Sequence, residues 1–166
     1  MLDATTVAEI AAKAQVSEPT FFRYYPTKAA VVLAPLEHRI DRTIGALEEL
    51  PRELLPLDAC LQTARSAEAI DLLPAPIEAP YLRELRETPS LRSALLDSFD
   101  TATDRLSIDF ARRLGLEPHD LVVRQTAATV VATLQEVFFQ WAADADGFDI
   151  ATATEESFER LRAGLR

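Results

Sequence analysis

Apolar residues recur at every third or fourth position along most of this sequence, and that spacing limits the chain to helical folds. In the stretch 90–114 the apolar positions fall on one face of a helix: Leu91, Leu95, Phe99, Ala102, Leu106 and Phe110. No stretch alternates convincingly between apolar and polar residues, and glycine occurs only four times. The sequence therefore predicts an all-α protein, large enough at 166 residues to bury a core without disulfides or metal.

Capping residues and prolines divide the N-terminal part of this pattern into two short helices. The first is expected to begin after Thr6, with Glu9 completing a capping box, and to end near Gln15. The second begins after Ser17 and is stopped by Pro26. Two short helices joined by the turn "AQVS" are typical of a helix-turn-helix, although any helical bundle can contain the same geometry.

A longer helix is expected from Thr27 to the residue before Pro51, with a kink at Pro35. Gly115 is expected to end a later helix as a C-terminal cap. The remaining helices are predicted at about 56–73, 80–87, 90–114 and 119–143 and close to the C-terminus, with a proline-rich turn at 73–80. The chain therefore consists of a small helical headpiece and a larger helical body.

Charge is distributed unevenly between these two parts. The net charge is −10, but residues 1–40 carry equal numbers of basic and acidic side chains, so the body holds the whole excess. A neutral headpiece is compatible with DNA binding and does not require it. The single cysteine, Cys60, excludes a disulfide framework, and no leader or membrane-spanning apolar run is apparent. We expect a cytoplasmic protein without a membrane partner.

The aromatic run in the second short helix has two faces. Phe21 and Tyr25 lie four residues apart and are expected to face inward. Phe22, Arg23 and Tyr24 then point outward, toward a partner or toward solvent.

The stretch "TTVAEIAAKAQVSEPTFFRYYPTKAAVV", residues 5–32, resembles the DNA-binding headpiece of the tetracycline-repressor (TetR) family. The residues that fit the family pattern in order and spacing are Thr6, Ile10, Ala11, Ala14, Val16, Ser17, Thr20, Phe21, Phe22 and Lys28. The resemblance implies a homodimeric transcriptional regulator, usually a repressor, that binds a palindromic operator in double-stranded DNA. It also implies a helix-turn-helix headpiece at 1–33 and an effector-binding and dimerisation domain at 34–166.

The sequence departs from the family pattern at several positions. Gln15 and Pro19 stand where glycine or a small residue is usual, Phe22 replaces the commoner tyrosine, and Tyr24 replaces histidine. The family headpiece also has a helix before the motif, whereas this sequence begins just ahead of Thr6. We therefore expect an N-terminally incomplete headpiece that binds its operator weakly.

The resemblance and the chemistry of the side chains suggest roles in DNA binding. Thr6, Tyr24 and Lys28 are expected to hold phosphates, whereas Arg23 and Thr20 are candidates for base edges. The full predicted DNA-binding set is Thr6, Ser17, Glu18, Pro19, Thr20, Phe22, Arg23, Tyr24 and Lys28. For each of them the alternative is a solvated surface side chain.

Two further sets belong to the body. The predicted pocket for a small hydrophobic effector is formed by Leu95, Phe99, Leu106, Phe110, Thr126, Thr129 and Val130. The predicted dimer interface, implied by the resemblance, is formed by Leu134, Phe138, Trp141, Phe158, Leu161 and Leu165. Ordinary core packing is the alternative for every residue in both sets.

No pattern of catalytic residues is apparent. The sequence has no Ser/His/Asp set, no paired-histidine spacing and no glycine-rich phosphate loop, so neither an enzyme nor a bound metal or cofactor is predicted. The alternative functions are a helical ligand-binding bundle without a DNA role, and a truncated dominant-negative form that cannot bind DNA itself.

Overall fold

The computed structural model describes residues 5–66, 69–74 and 78–164, which form helices and loops without a β-strand. The helices are α1 (Val7–Lys13), α2 (Glu18–Tyr24), α3 (Lys28–Glu48), α4 (Pro56–Arg65), α5 (Ala69–Leu72), α6 (Ala79–Glu87), α7 (Pro89–Leu114), α8 (Leu121–Ala143) and α9 (Ile150–Arg162). The all-α prediction is confirmed. No helix in this described part of the chain is long and apolar enough to cross a membrane.

Most predicted helix ends agree with the structure. Gly115 ends α7 with a left-handed φ of 67°. The helix predicted at 56–73 is divided instead, because Ser66 is extended with ψ 156° and ends α4. Part of the predicted proline-rich turn, residues 75–77, lies outside the described residues.

The turn between α1 and α2 is a Schellman motif. The Val16 N–H donates to the Ala11 carbonyl at 3.0 Å, and the Gln15 N–H donates to the Ala12 carbonyl at 3.1 Å. Gln15 has a φ of 57°, in the left-handed region that favours glycine. Glutamine, which stands where the resembled family usually has glycine, is therefore a strained residue in this turn.

We expect Gln15→Gly to raise the free energy of unfolding of the headpiece by about 0.5–1 kcal/mol. A left-handed conformation costs a residue with a side chain roughly 1–2 kcal/mol, and the greater freedom of glycine in the unfolded chain offsets part of that gain. Chemical denaturation followed by circular dichroism measures the change. Gln62→Gly, at an exposed position within α4, is the control and should instead destabilise by about 1 kcal/mol. Destabilisation by both changes would contradict the assigned turn.

The long helix α3 continues through Pro35 to Glu48. Pro35 has no N–H to donate, so the Val31 carbonyl four residues earlier lacks its usual helical donor. The Tyr81 hydroxyl of α6 donates to the Val32 carbonyl at 2.6 Å. Burial raises the pKa of Tyr81 to about 12, opposed by a hydrogen bond from the backbone of Leu36. Tyr81 therefore ties α6 to α3 at the proline.

Two apolar clusters fill the body. The first lies where α3, α4, α7, α8 and α9 meet, and its members include Ile44, Ala59, Phe110, Val123 and Phe158. The second lies where the first half of α3 meets α6, the start of α7 and the end of α8, and its members include Leu33, Leu85, Leu91 and Trp141. Ala11 and Phe21, which are buried in the headpiece, belong to neither cluster. The continuous α3 therefore links the headpiece to both clusters.

Candidate DNA-binding surface and ligand cavity

Hydroxyl groups hold the first turn of α2. Ser17 Oγ accepts a hydrogen bond from the Thr20 N–H at 3.3 Å and lies 3.0 Å from the Thr20 hydroxyl. Thr20 is half-buried, whereas Glu18 and Pro19 are exposed. The hydroxyl of Thr20, which was predicted to read a base edge, therefore already has a partner within the headpiece.

The aromatic residues of α2 divide between two faces as predicted. Phe21 is 4% exposed and its ring centre lies 5.8 Å from that of the half-buried Tyr25. Phe22 and Tyr24 are 47% and 68% exposed. The Arg23 guanidinium lies 5.0 Å from the centre of the Tyr24 ring, with Nη2 3.4 Å from the tyrosine oxygen. The outer face of α2 thus presents a cation–aromatic pair that can contact phosphates or bases.

The start of α1 is occupied by a carboxylate. Glu9 accepts hydrogen bonds from the Thr6 N–H at 2.7 Å and from the Thr6 hydroxyl at 3.0 Å, and these bonds lower the pKa of Glu9. The predicted capping box is confirmed, and it engages the hydroxyl that was expected to meet a phosphate. Lys28, at the first position of α3, is half-buried and already interacts with other groups.

A partly open cavity of about 110 Å³ lies among the helices of the body. A single water needs about 10–15 Å³, so the cavity has room for several waters or for part of a small organic molecule. The predicted residues that line it are Phe99, Leu106 and Val130 from the predicted pocket, and Leu134, Phe138 and Phe158 from the predicted dimer interface. The wall is almost entirely apolar, which suits a hydrophobic ligand.

Four residues predicted for the effector pocket lie outside this wall. Leu95 belongs to the second cluster, and Phe110 is fully buried in the first. Thr126 and Thr129 donate their hydroxyls, each at 2.7 Å, to backbone carbonyls four residues earlier in α8. Since α7 and α8 bury residues on several sides, apolar character alone did not indicate which side chains meet the cavity.

Sequence reasoning missed the contribution of α3 to the cavity. One side of this helix lines it with Leu36, Arg39, Ile40, Thr43, Ile44 and Leu47. The four-residue spacing of the apolar members was visible in the sequence, but it predicted only core packing. Cys60 also lines the cavity, and burial raises its pKa to about 12, so the thiol stays protonated at neutral pH. Within the described residues no cluster of His, Cys, Asp or Glu could hold a metal ion.

The other residues predicted for the dimer interface pack mainly inside the chain. Trp141 is 2% exposed, and the half-buried Leu161 packs against the first cluster. Leu165 lies outside the described residues. The residues that α8 exposes are Leu121, Val122, Gln125, Ala128, Thr129, Ala132, Glu136, Gln140 and Ala143. The uncharged part of this surface near the start of the helix, Leu121, Val122, Gln125, Ala128, Thr129 and Ala132, is called here the α8 stripe.

A helix-turn-helix joined to a helical body that contains an apolar cavity is an arrangement that DNA-binding transcriptional regulators use. A family model described as bacterial regulatory proteins of the tetR family matches residues 2–34. A second model, described as the MftR C-terminal domain, matches residues 82–166, just over half of the chain.

Two relatives are similar along nearly the whole chain. The HTH-type transcriptional regulator TcmR of Streptomyces glaucescens is 28% identical over 173 aligned residues, covering 97% of this chain and 75% of TcmR. The putative mycofactocin biosynthesis transcriptional regulator MftR of Mycobacterium tuberculosis (strain ATCC 25618 / H37Rv) is 21% identical over 160 residues, covering 96% of this chain and 80% of MftR. The chain belongs to the TetR family of transcriptional regulators, which are DNA-binding proteins and not enzymes.

Proposed function

We propose that this protein is a repressor that leaves its operator when a small hydrophobic molecule occupies the cavity. The observation that carries the proposal is the position of α3. This helix begins four residues after the end of α2 and then forms one side of the cavity wall. A ligand that favours a different packing of α3 therefore shifts the population of headpiece orientations, and operator affinity changes with it.

A second cleft is less suited to such a ligand. It lies between α3 and α7, has a volume of about 450 Å³ and is lined by several charged residues. Its polar groups already pair with each other, since Ser98 donates to Glu37 at 3.0 Å and Arg105 bonds Asp41. An apolar effector binds more favourably in the first cavity, because few polar groups of that wall lose their hydration when it enters.

The protein acts as a homodimer in this proposal, with the α8 stripe as the contact between the two copies. Leu121 and Val122 are 72% and 52% exposed, and small side chains at Ala128 and Ala132 allow two helices to approach closely. A twofold dimer presents two recognition helices about 34 Å apart, as a palindromic operator requires. Family membership supports this arrangement.

Within each headpiece, Arg23 is the proposed base-reading residue. Its guanidinium can donate two hydrogen bonds to guanine O6 and N7, and the Tyr24 ring holds it on the exposed face of α2. Tyr24 and Lys28 are the proposed phosphate contacts. The Ser17, Glu18, Pro19, Thr20 and Phe22 side chains border this contact and set its shape.

Selection of duplexes from a random DNA library, followed by fluorescence anisotropy, tests this function. We expect enrichment of a palindrome and an affinity that falls steeply with salt, because phosphate contacts release counterions. Arg23→Gln should weaken binding by about tenfold to hundredfold. Arg160→Gln, which alters an exposed arginine of α9, is the matched control and should leave the affinity unchanged.

The outcome separates the alternatives. Failure to enrich any duplex would favour a ligand-binding bundle or a form without its own DNA binding. If a palindrome is enriched, in vitro transcription from a promoter containing it distinguishes repression, our expectation, from activation.

A further inference from the structure

Nearly all polar groups in the cavity wall are already committed to partners inside the protein. Hydroxyls of three threonines donate to the carbonyl four residues earlier, Thr43 at 2.9 Å, Thr63 at 3.0 Å and Thr154 at 2.7 Å. These hydrogen bonds satisfy each hydroxyl proton within its own helix. The threonines therefore offer a ligand no free donor.

The charge in the wall is also neutralised. Arg39 lines the cavity, but its guanidinium forms an ion pair with Glu78, the residue before α6. The side chains of Arg39 and Glu78 are only 14% and 28% exposed, so the pair is held in a largely desolvated position. A ligand anion would share the guanidinium with Glu78, so it would meet a charge that is already neutralised, in a wall that offers few other polar groups to replace its hydration. The wall therefore disfavours an anionic ligand.

Gln135 is the exception. Its half-buried side chain on α8 lines the cavity between two other lining residues, Leu134 and Phe138. Among the described residues its amide has no hydrogen-bond partner, although it carries both donors and an acceptor. Because this amide is partly shielded from water, a ligand that supplies a hydrogen-bond partner gains binding free energy there.

We propose that Gln135 is the specificity-determining polar residue of the cavity. The ligand class is a neutral, mainly apolar molecule carrying one uncharged oxygen function, such as a ketone, ester or hydroxyl. The apolar part fills the cavity, and the oxygen function bonds the Gln135 amide. This inference rests on the proposed function, because it assigns the chemistry of the effector.

Displacement of the neutral fluorophore N-phenyl-1-naphthylamine by two ten-carbon competitors, 2-decanone and sodium decanoate, tests the assignment. The ketone should displace the fluorophore from the wild type at a lower concentration than the carboxylate. Gln135→Met keeps the length of the side chain but removes its hydrogen bonds, and should weaken 2-decanone binding about five- to tenfold. The affinity for the fluorophore itself should stay within about twofold, since apolar packing is retained.

Gln140→Met is the matched control. Gln140 is also on α8 but is exposed and bonds Glu136 at 2.6 Å, so its replacement should leave 2-decanone binding unchanged. Equal ketone affinities for wild type and Gln135→Met would overturn the assignment, as would tighter binding of decanoate than of 2-decanone. If neither the fluorophore nor the ketone binds the wild type, the proposed effector function fails as well.

Discussion

Arg113→Met should lower the free energy of unfolding by about 3–5 kcal/mol, the cost typical of breaking a buried ion pair from one side. The Arg113 side chain is fully buried on α7, and its Nε lies 2.5 Å from the Asp109 carboxylate one turn earlier. Asp109 is itself 4% exposed. Methionine fills similar space but leaves that carboxylate in the core without a cation. Urea denaturation monitored by circular dichroism measures the effect.

Arg113 also caps a helix end far away in the sequence. Nη2 donates to the Leu47 carbonyl at 2.8 Å, near the end of α3, and Nη1 donates to the Pro51 carbonyl at 2.7 Å. Carbonyls at a helix C-terminus have no intrahelical donors, so the guanidinium supplies them. Loss of Arg113 therefore leaves the buried acid without its cation. It also removes one of two donors from each carbonyl, since Leu47 accepts from the Leu50 N–H at 3.2 Å and Pro51 from the Leu54 N–H at 3.3 Å.

Two variants make this prediction decisive. Arg112→Met changes the exposed neighbouring arginine and should alter stability by no more than about 0.5 kcal/mol. The double variant Asp109→Leu with Arg113→Met should be less destabilised than Arg113→Met alone, because it buries no unpaired charge. If the Arg112 and Arg113 substitutions lower the free energy of unfolding equally, the buried ion pair does not stabilise the fold as predicted.

Local sequence signals predicted the helices well, because the interactions that start and end a helix are close in sequence. Thr6 and Glu9 form the capping box three residues apart, and Gly115 adopts the left-handed conformation that its lack of a side chain permits. The break after α4 was missed. Serine is not a residue that usually ends a helix. The Ser66 backbone is nevertheless extended, and its hydroxyl donates to the Thr63 carbonyl, a bond that the sequence pattern does not predict.

The binding surfaces were harder to predict, because they depend on contacts between residues distant in sequence. Phe138 and Phe158 were apolar enough for a dimer interface, yet both line the cavity of the same chain. Gln135 and Arg39 gave no sequence signal, since a polar residue on a helix usually faces water. The side of α8 proposed above as the contact between copies was not predicted, because its small side chains, such as Ala128, are not strongly apolar.

Val122→Glu on the α8 stripe should convert the protein to a monomer and reduce operator affinity by about a hundredfold or more. The side chain is 52% exposed, so the charge disturbs the folded chain little, but in a dimer it would be buried against its symmetry mate. Two linked headpieces bind two half-sites with an avidity gain of about 10² to 10⁴, which a monomer lacks. Light scattering after size exclusion gives the mass, and anisotropy with the selected palindrome gives the affinity.

Leu96→Glu is the matched control for the dimer prediction, because Leu96 is 54% exposed on α7, away from the α8 stripe. It should leave both mass and affinity unchanged. If the Val122→Glu protein is still a dimer, the contact between copies lies on another surface. A monomer that retains full operator affinity would instead show that each headpiece binds DNA independently. Loss of the dimer together with loss of affinity would link the α8 stripe to operator recognition, since Val122 lies on the body and not on the outer face of α2.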